Sequence, residues 1–172
     1  GIILKIDYNG DTVMTFQIGN SDTLYNYIYG RNSDDFFRTC MVTDDGNILV
    51  AGETQSYGAD NIYDYDLWLI KFTTNLDTLW NKQYSLPDTM LGMDYAYGKK
   101  ISDGGIVIPG YQHYYTSANY QFMLSAFDSS GNLKFHKQVL PQYRGQFLGA
   151  VQTSDNGFIA SGIKYNIINN DD

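Results

Sequence analysis

The chain reads as an all-β protein of the β-propeller class, built from four-stranded antiparallel blades, and three observations predict this. One phrase occurs three times, a tight turn leading into an apolar strand that closes on glycine. Its copies are Asp45-Gly46-Asn47-Ile48-Leu49-Val50-Ala51-Gly52, Asp103-Gly104-Gly105-Ile106-Val107-Ile108-Pro109-Gly110 and Asp155-Asn156-Gly157-Phe158-Ile159-Ala160-Ser161-Gly162. A second phrase interleaves with it: Leu4-Lys5-Ile6-Asp7, Ile70-Lys71-Phe72-Thr73 and Ser125-Ala126-Phe127-Asp128, each followed by a turn and another strand. The spacing is the third observation. Asp45 to Asp103 is 58 positions and Asp103 to Asp155 is 52. A period of roughly 50–60 residues holding four short strands suits a propeller blade, and the 3.6-residue period of helical repeats is absent.

With the strands of a blade lettered A to D, the elements follow in order. The chain opens on strand C at Ile2–Asp7 and strand D at Asp11–Ile18. A complete unit follows, with A at Phe36–Val42, B at Asn47–Thr54, C at Asp66–Thr73 and D at Asp77–Tyr84. A second complete unit places A at Tyr95–Ile101, B at Gly105–Gln112, C at Tyr120–Asp128 and D at Asn132–Val139. The last strands are A at Phe147–Thr153 and B at Gly157–Tyr165. Strands B and C are apolar on both faces, as sheets sandwiched between neighbours require. In strand D, Met14, Trp80 and Phe135 share one slot and Gln17, Gln83 and Gln138 another. The large apolar residue suits packing of one blade on the next, and the glutamine suits a structural hydrogen bond. Residues 1–172 are thus one propeller segment with units at 1–33 (partial), 34–93, 94–145 and 146–172 (partial).

Twelve strands make three blades' worth, below the four to eight blades of closed propellers. The chain opens on Gly1-Ile2 without an initiator Met, so a processed chain or a segment of a larger ring is expected. Flanking domains of the same chain would complete that ring, or two copies would self-associate into six blades.

Composition narrows the function classes. Hydrophobic residues are 43% of the chain, which excludes wholesale disorder. No apolar run approaches the roughly 20 residues of a membrane-spanning helix. The net charge of −8 disfavours a nucleic-acid partner. Cys40 is the single cysteine; in the stretch Phe36-Phe37-Arg38-Thr39-Cys40-Met41-Val42 it is expected to be a buried free thiol.

The turns divide the molecule into two ends. A-to-B and C-to-D links are tight Asp-Gly, Asn-Gly and Ser-Gly turns, with Asn75-Leu76 departing from the glycine. The B-to-C and D-to-A connections lie at the opposite end and are expected to be long, which makes that end the one to examine for binding. Glu53–Tyr65 carries Tyr57, Tyr63 and Tyr65; Tyr111–Asn119 carries His113, Tyr114 and Tyr115; Gly19–Ser33 carries Tyr25, Tyr27 and Tyr29. These aromatic side chains, Tyr25, Tyr27, Tyr57, Tyr63, Tyr65, His113, Tyr114 and Tyr115, are the candidate ligand-binding residues. Tyrosines among asparagines suit an adaptable protein-binding surface, and equally a sugar ring.

Signals of catalysis are poor. His113 and His136 are the only histidines, with His136 expected on the solvated outer rim of a blade. No zinc spacing, nucleophile elbow or phosphate loop occurs. A glycan hydrolase or lyase would need inward-facing acids, and the three A strands as placed above contain none. No catalytic residue, metal ligand or cofactor is therefore assigned. Asp7-Tyr8-Asn9-Gly10-Asp11 spaces oxygens as calcium loops do, but Thr73 and Asp128 occupy the slot of Asp7, so turn chemistry explains it better.

The phrases Asp103-Gly104-Gly105, Ala51-Gly52-Glu53-Thr54, Ser56-Tyr57-Gly58-Ala59, Asp66-Leu67-Trp68-Leu69-Ile70-Lys71 and Asp77-Thr78-Leu79-Trp80 resemble the secreted propeller repeats of Bacteroidota. The middle copy is the nearest match, and Pro141-Gln142-Tyr143 replaces the usual glycine-rich blade end. The resemblance implies an extracellular or cell-surface location, with export of the type IX kind. Loop length and composition point to a non-catalytic binding or scaffold role toward a protein partner, with a surface glycan as the alternative.

Overall fold

The computed structural model describes residues 2–17, 35–55, 65–114 and 120–165. These residues form thirteen strands in antiparallel sheets and no helix. β1 (Ile2–Ile6) and β2 (Thr12–Gln17) make a two-stranded first sheet. β3 (Asp35–Val42), β4 (Ile48–Thr54), β5 (Asp66–Phe72) and β6 (Thr78–Tyr84) make the second, in chain order. In the third, β7 (Thr89–Gly92) and β8 (Lys99–Lys100) both pair with β9 (Ile106–Tyr114), which is followed by β10 (Tyr120–Phe127) and β11 (Leu133–Gln138). β12 (Arg144–Gln152) and β13 (Phe158–Tyr165) form a two-stranded fourth sheet. The meander order within each unit is the one the repeats predict.

Three apolar cores lie between successive sheets. Ile3 and Met14 of the first sheet pack on Val50, Trp68, Ile70, Phe72 and Leu76 of the second. Leu49, Ala51, Leu67 and Leu69 on the other face of the second sheet pack with Leu91, Ile106, Ile108, Met123 and Phe127 of the third. Val107, Leu124 and Phe135 of the third meet Ala150, Phe158 and Ala160 of the fourth. The strand-D slot of Met14, Trp80 and Phe135 supplies each of these contacts, as the alignment of the copies predicts.

The glycine closing the first phrase has a steric cause. At Gly52, Gly110 and Gly162 a Cβ would overlap the carbonyl oxygen of Phe36, Gly92 and Gln146, respectively, on the adjacent inner strand. That approach accompanies an irregularity there: the register shifts between Phe37 and Thr39 in β3, and between Phe147 and Gly149 in β12. The turn Asn75-Leu76 also has a cause. Leu76 holds φ 63° where Gly10 and Gly131 hold 91° and 76°. A Cβ at Gly131 would stand 2.7 Å from the Trp80 ring, whereas the Leu76 side chain, 5% exposed, fills the core that the smaller Met14 shares. Burial offsets a left-handed backbone that costs roughly 1–2 kcal/mol.

The structure corrects four expectations. The inner strand of the third sheet is not a continuous Tyr95–Ile101: it starts at Thr89 and breaks over residues 93–98, with Tyr95 at φ 57°. The seven-residue step from Gly92 to Lys99 faces a four-residue step from Tyr111 to Val107, so three residues are extra where β3 and β12 carry one. The D-to-A connections at 85–88 and 139–143 are consequently short turns around Pro87 and Pro141. Cys40 is exposed rather than buried, because its face of β3 looks into a groove lined by Ile2, Leu4, Phe37, Val50 and Tyr97. His136 is half-buried rather than a solvated rim residue. Its Nδ1 lies 2.9 Å from Ser125 Oγ and its Nε2 2.9 Å from Gln112 Oε1, tying β9, β10 and β11 together. Because Gln112 Oε1 only accepts, Nε2 donates to it and Nδ1 accepts from the serine hydroxyl. Burial lowers the His136 pKa and keeps the ring neutral near pH 7.

Candidate functional site

At the tight-turn end, the same device recurs in each copy. Asp7 Oδ1 accepts from the amides of Asn9 and Asp11 at 2.8 and 2.9 Å, and Asp128 Oδ1 from those of Ser130 and Asn132 at 2.9 and 2.8 Å. Thr73 Oγ1 fills the slot, accepting from Asn75 and Asp77 at 3.2 Å each. Asp7 and Asp128 are therefore occupied in shaping turns. Among the described residues no group of three or more His, Cys, Asp or Glu side chains is arranged to hold a metal ion.

At the opposite end, equivalent slots carry different residues, and these converge. Glu53, Tyr111 and Ile163 each follow the phrase-ending glycine; Arg38, Asp94 and Leu148 each occupy the irregularity of an inner strand. Arg38 Nε donates to Glu53 Oε1 at 2.9 Å, its Nη2 reaches the same oxygen, and Nη2 also reaches Asp94 Oδ1 at 3.2 Å. The second Glu53 oxygen accepts from the Met93 amide at 2.8 Å. The Tyr111 hydroxyl donates to Asp94 Oδ2 at 3.2 Å, and Gln146 Nε2 donates to the Asp94 carbonyl at 3.1 Å. One junction thus ties the second, third and fourth sheets.

Burial and exposure are graded across this junction. The Glu53 side chain is 2% exposed, Arg38 24% and Asp94 45%. Burial pushes the Glu53 carboxyl up, opposed by the Met93 amide and the Arg38 guanidinium. Burial also raises Tyr111, and the nearby charges of Asp94 and Glu53 add to it, so its hydroxyl remains a donor. Asp94 is the half-open member. Its carboxylate accepts two side-chain bonds and has further lone-pair directions toward solvent.

Asp94 opens into a pocket of about 480 Å³ that it lines with Tyr120, Arg144, Gln146 and Tyr165. Tyr120 starts β10, Arg144 starts β12 and Tyr165 ends β13, so the antiparallel order brings three strand termini to the same end. Aromatic rings form one wall. Tyr120 stands 4.9 Å from Tyr111, 5.1 Å from His113 and 6.5 Å from Tyr165 by ring centroids. The pocket combines a carboxylate, a guanidinium, an amide and phenol groups, a set suited to holding a polar ligand.

Of the candidates read from sequence, His113 lies in this aromatic wall. Tyr114 is exposed beside it and accepts from Gln112 Nε2 at 3.0 Å. Tyr65 is half-buried, its carbonyl accepting from the Leu91 amide at 2.7 Å and its ring 6.1 Å from Phe36, over which Arg38 lies. Tyr25, Tyr27, Tyr57, Tyr63 and Tyr115 lie outside the described residues. Sequence reading missed Asp94, Arg144, Gln146, Tyr120 and Tyr165. The available signal was divergence within a repeat slot, as in Glu53 against Tyr111 and Ile163. It also missed acids on the inner strands, because Asp35 and Asp94 fall outside the expected bounds and inside the observed ones or their break.

Comparison with known proteins matched no family model and no curated relative.

Proposed function

We propose that the chain is part of a β-propeller that acts as a non-catalytic binding module outside the cell or on a bacterial surface, recognising its partner at the end opposite the tight turns. The observation that carries this reading is the pocket of Asp94, Tyr120, Arg144, Gln146 and Tyr165. Its residues lie at the end where equivalent slots of the repeat diverge, opposite the tight turns where they repeat. Repetition serves the scaffold, and departures from it cost consistency unless the site gains something. A protein partner suits the rim, where Tyr114, Tyr120 and Tyr165 are all more than one-third exposed. The propeller reading is supported by sheets of sequential A-B-C-D order packed in chain order, and the extracellular reading by the resemblance to secreted repeats.

A surface glycan is the second reading, favoured by the apposition of the Tyr120 and Tyr165 rings with the Asp94 carboxylate and the Gln146 amide in one pocket. Planar rings accept the apolar face of a sugar while amide and carboxylate bond its hydroxyls. Parallel screens on peptide and glycan arrays decide between the readings. Binding detected on either array should weaken at least about tenfold in Tyr120→Ala and in Tyr165→Ala, a loss of about 1.4 kcal/mol. Retention of every detected interaction in both variants sinks the pocket as the recognition site.

A further inference from the structure

One side of the pocket at Asp94 offers acceptors and asks for donors. Gln146 lines the pocket and is only 5% exposed. Its Nε2 donates to the Asp94 carbonyl, which fixes the orientation of the amide and makes Oε1 the free acceptor. That oxygen takes no hydrogen bond among the described residues. A buried amide oxygen left without a donor is costly, unless something beyond the chain donates to it. Asp94 adds a second acceptor. Its Oδ1 accepts from Arg38 and its Oδ2 from Tyr111, each at 3.2 Å, the long end of the hydrogen-bond range. Each of these oxygens keeps a further lone pair.

Two rings stand beside these acceptors. Tyr120 and Tyr165 meet at 77°, a near-perpendicular pair that makes a corner of the pocket. Burial raises the Tyr165 pKa and the Asp94 charge adds to it, so the carboxylate lies within electrostatic reach of that phenol. A carboxylate and an amide oxygen beside aromatic rings suit a cation with several N–H donors, and an ammonium has three. The chain's net charge of −8 favours the approach of such a group. The other charge lining the pocket has the opposite sign. Arg144 has a partner of its own, and its five N–H donors allow a further acceptor besides. A fitting ligand therefore carries an oxygen acceptor close to its ammonium.

We infer that the pocket binds the head group of an α-amino acid, an ammonium one carbon away from a carbonyl, supplied by a polypeptide amino terminus or by a free amino acid. Asp94 and Gln146 Oε1 receive the ammonium against the rings of Tyr120 and Tyr165, and the carbonyl oxygen accepts from Arg144. The volume of about 480 Å³ has room for the head group and its first side chain. Sugar hydroxyls would also donate to these acceptors but bring no cation to the carboxylate. The acceptor pair belongs to the junction between the third and fourth sheets, held by the bond from Gln146 to the Asp94 carbonyl, and not to a sheet edge. The inference rests on the reading of this pocket as the recognition site and gives that reading a chemistry.

Calorimetric titration of the full chain with trialanine amide, its N-acetyl form and free alanine tests it. Trialanine amide should bind saturably. Acetylation removes the charge and two of the three donors, and should weaken binding at least about tenfold. Asp94→Asn keeps the shape of the side chain and should cost a comparable factor, while Asp128→Asn at the turn end leaves affinity unchanged. Tyr165→Ala, at a partly exposed residue, is the second variant should Asp94→Asn disturb the junction; it should weaken binding at least about threefold. Free alanine binding as tightly as trialanine amide assigns the site to free amino acids, and weaker binding assigns it to polypeptide termini. Equal binding of the acetylated form overturns the inference. So does the absence of saturable binding by both trialanine amide and alanine, or full affinity in both Asp94→Asn and Tyr165→Ala. Failure of the recognition reading shows separately, as array interactions that survive Tyr120→Ala and Tyr165→Ala.

Discussion

The two ends of the sheets are built on opposite principles. At the tight-turn end, Asp7, Thr73 and Asp128 perform one task in three copies, and Asp45, Asp103 and Asp155 perform another. At the other end, the corresponding slots hold Arg38, Asp94 and Leu148, or Glu53, Tyr111 and Ile163, and no two do the same thing. A polar residue that repeats is satisfied within its own turn or its own sheet. One that does not repeat is satisfied across sheets, so its loss is felt by more than one unit.

The largest expected effect follows from Glu53. Glu53→Ala strips the buried partner from Arg38 and from the Met93 amide, and breaking such a pair costs about 3–5 kcal/mol. Urea denaturation should show that loss, and a loss below that of a tight-turn variant would break the contrast between the ends. Next comes Gly162→Ala, which sets a methyl on the Gln146 carbonyl and should cost about 1–3 kcal/mol by the same measurement. Asp128→Ala, at the turn end, removes two bonds to local amides and should cost about 1 kcal/mol.

The smallest effects are read from pH. His136 is held neutral by burial with its pKa below the ordinary 6.5. The unfolded chain then binds the extra proton first, so stability falls as pH drops from 6.5 toward the lower folded pKa. A second, separate loss begins at more acid pH. Asp103, held low chiefly by Lys134, and Asp155, held low by Thr153 and the Gly157 amide, lose their partners' benefit as pH falls below the usual carboxylate value of 3.8. His136→Asn should abolish the first slope in Tm against pH and leave the second. Both slopes persisting would assign the first to another group.

What was legible in the sequence was what repeats. Strand order and most strand bounds follow from the phrase ending in Gly52, Gly110 and Gly162, because a steric demand met three times leaves three identical marks. The break at residues 93–98 was illegible for the converse reason. Two residues more than the bulge of the other inner strands displace the alternation, and Thr89–Gly92 no longer looks continuous with Lys99–Lys100. The pocket was hidden by distance in the chain: Asp94, Tyr120, Arg144 and Tyr165 come from three sheet elements and one break, each unremarkable in its own segment. Cys40 looks buried in its stretch, and only the groove beside β1 reveals that its face is bare.

The three separate cores have a consequence for how the chain acquires its structure. Each is shared by only two neighbouring sheets, so order spreads from one sheet to the next, like a zip with four teeth, and never waits for a central nucleus. The second and third sheets, each wedged between two cores, are where it would start and the last to melt. Amide exchange should then grade along the chain, slowest in β5 and β9 and fastest in β1 and β13.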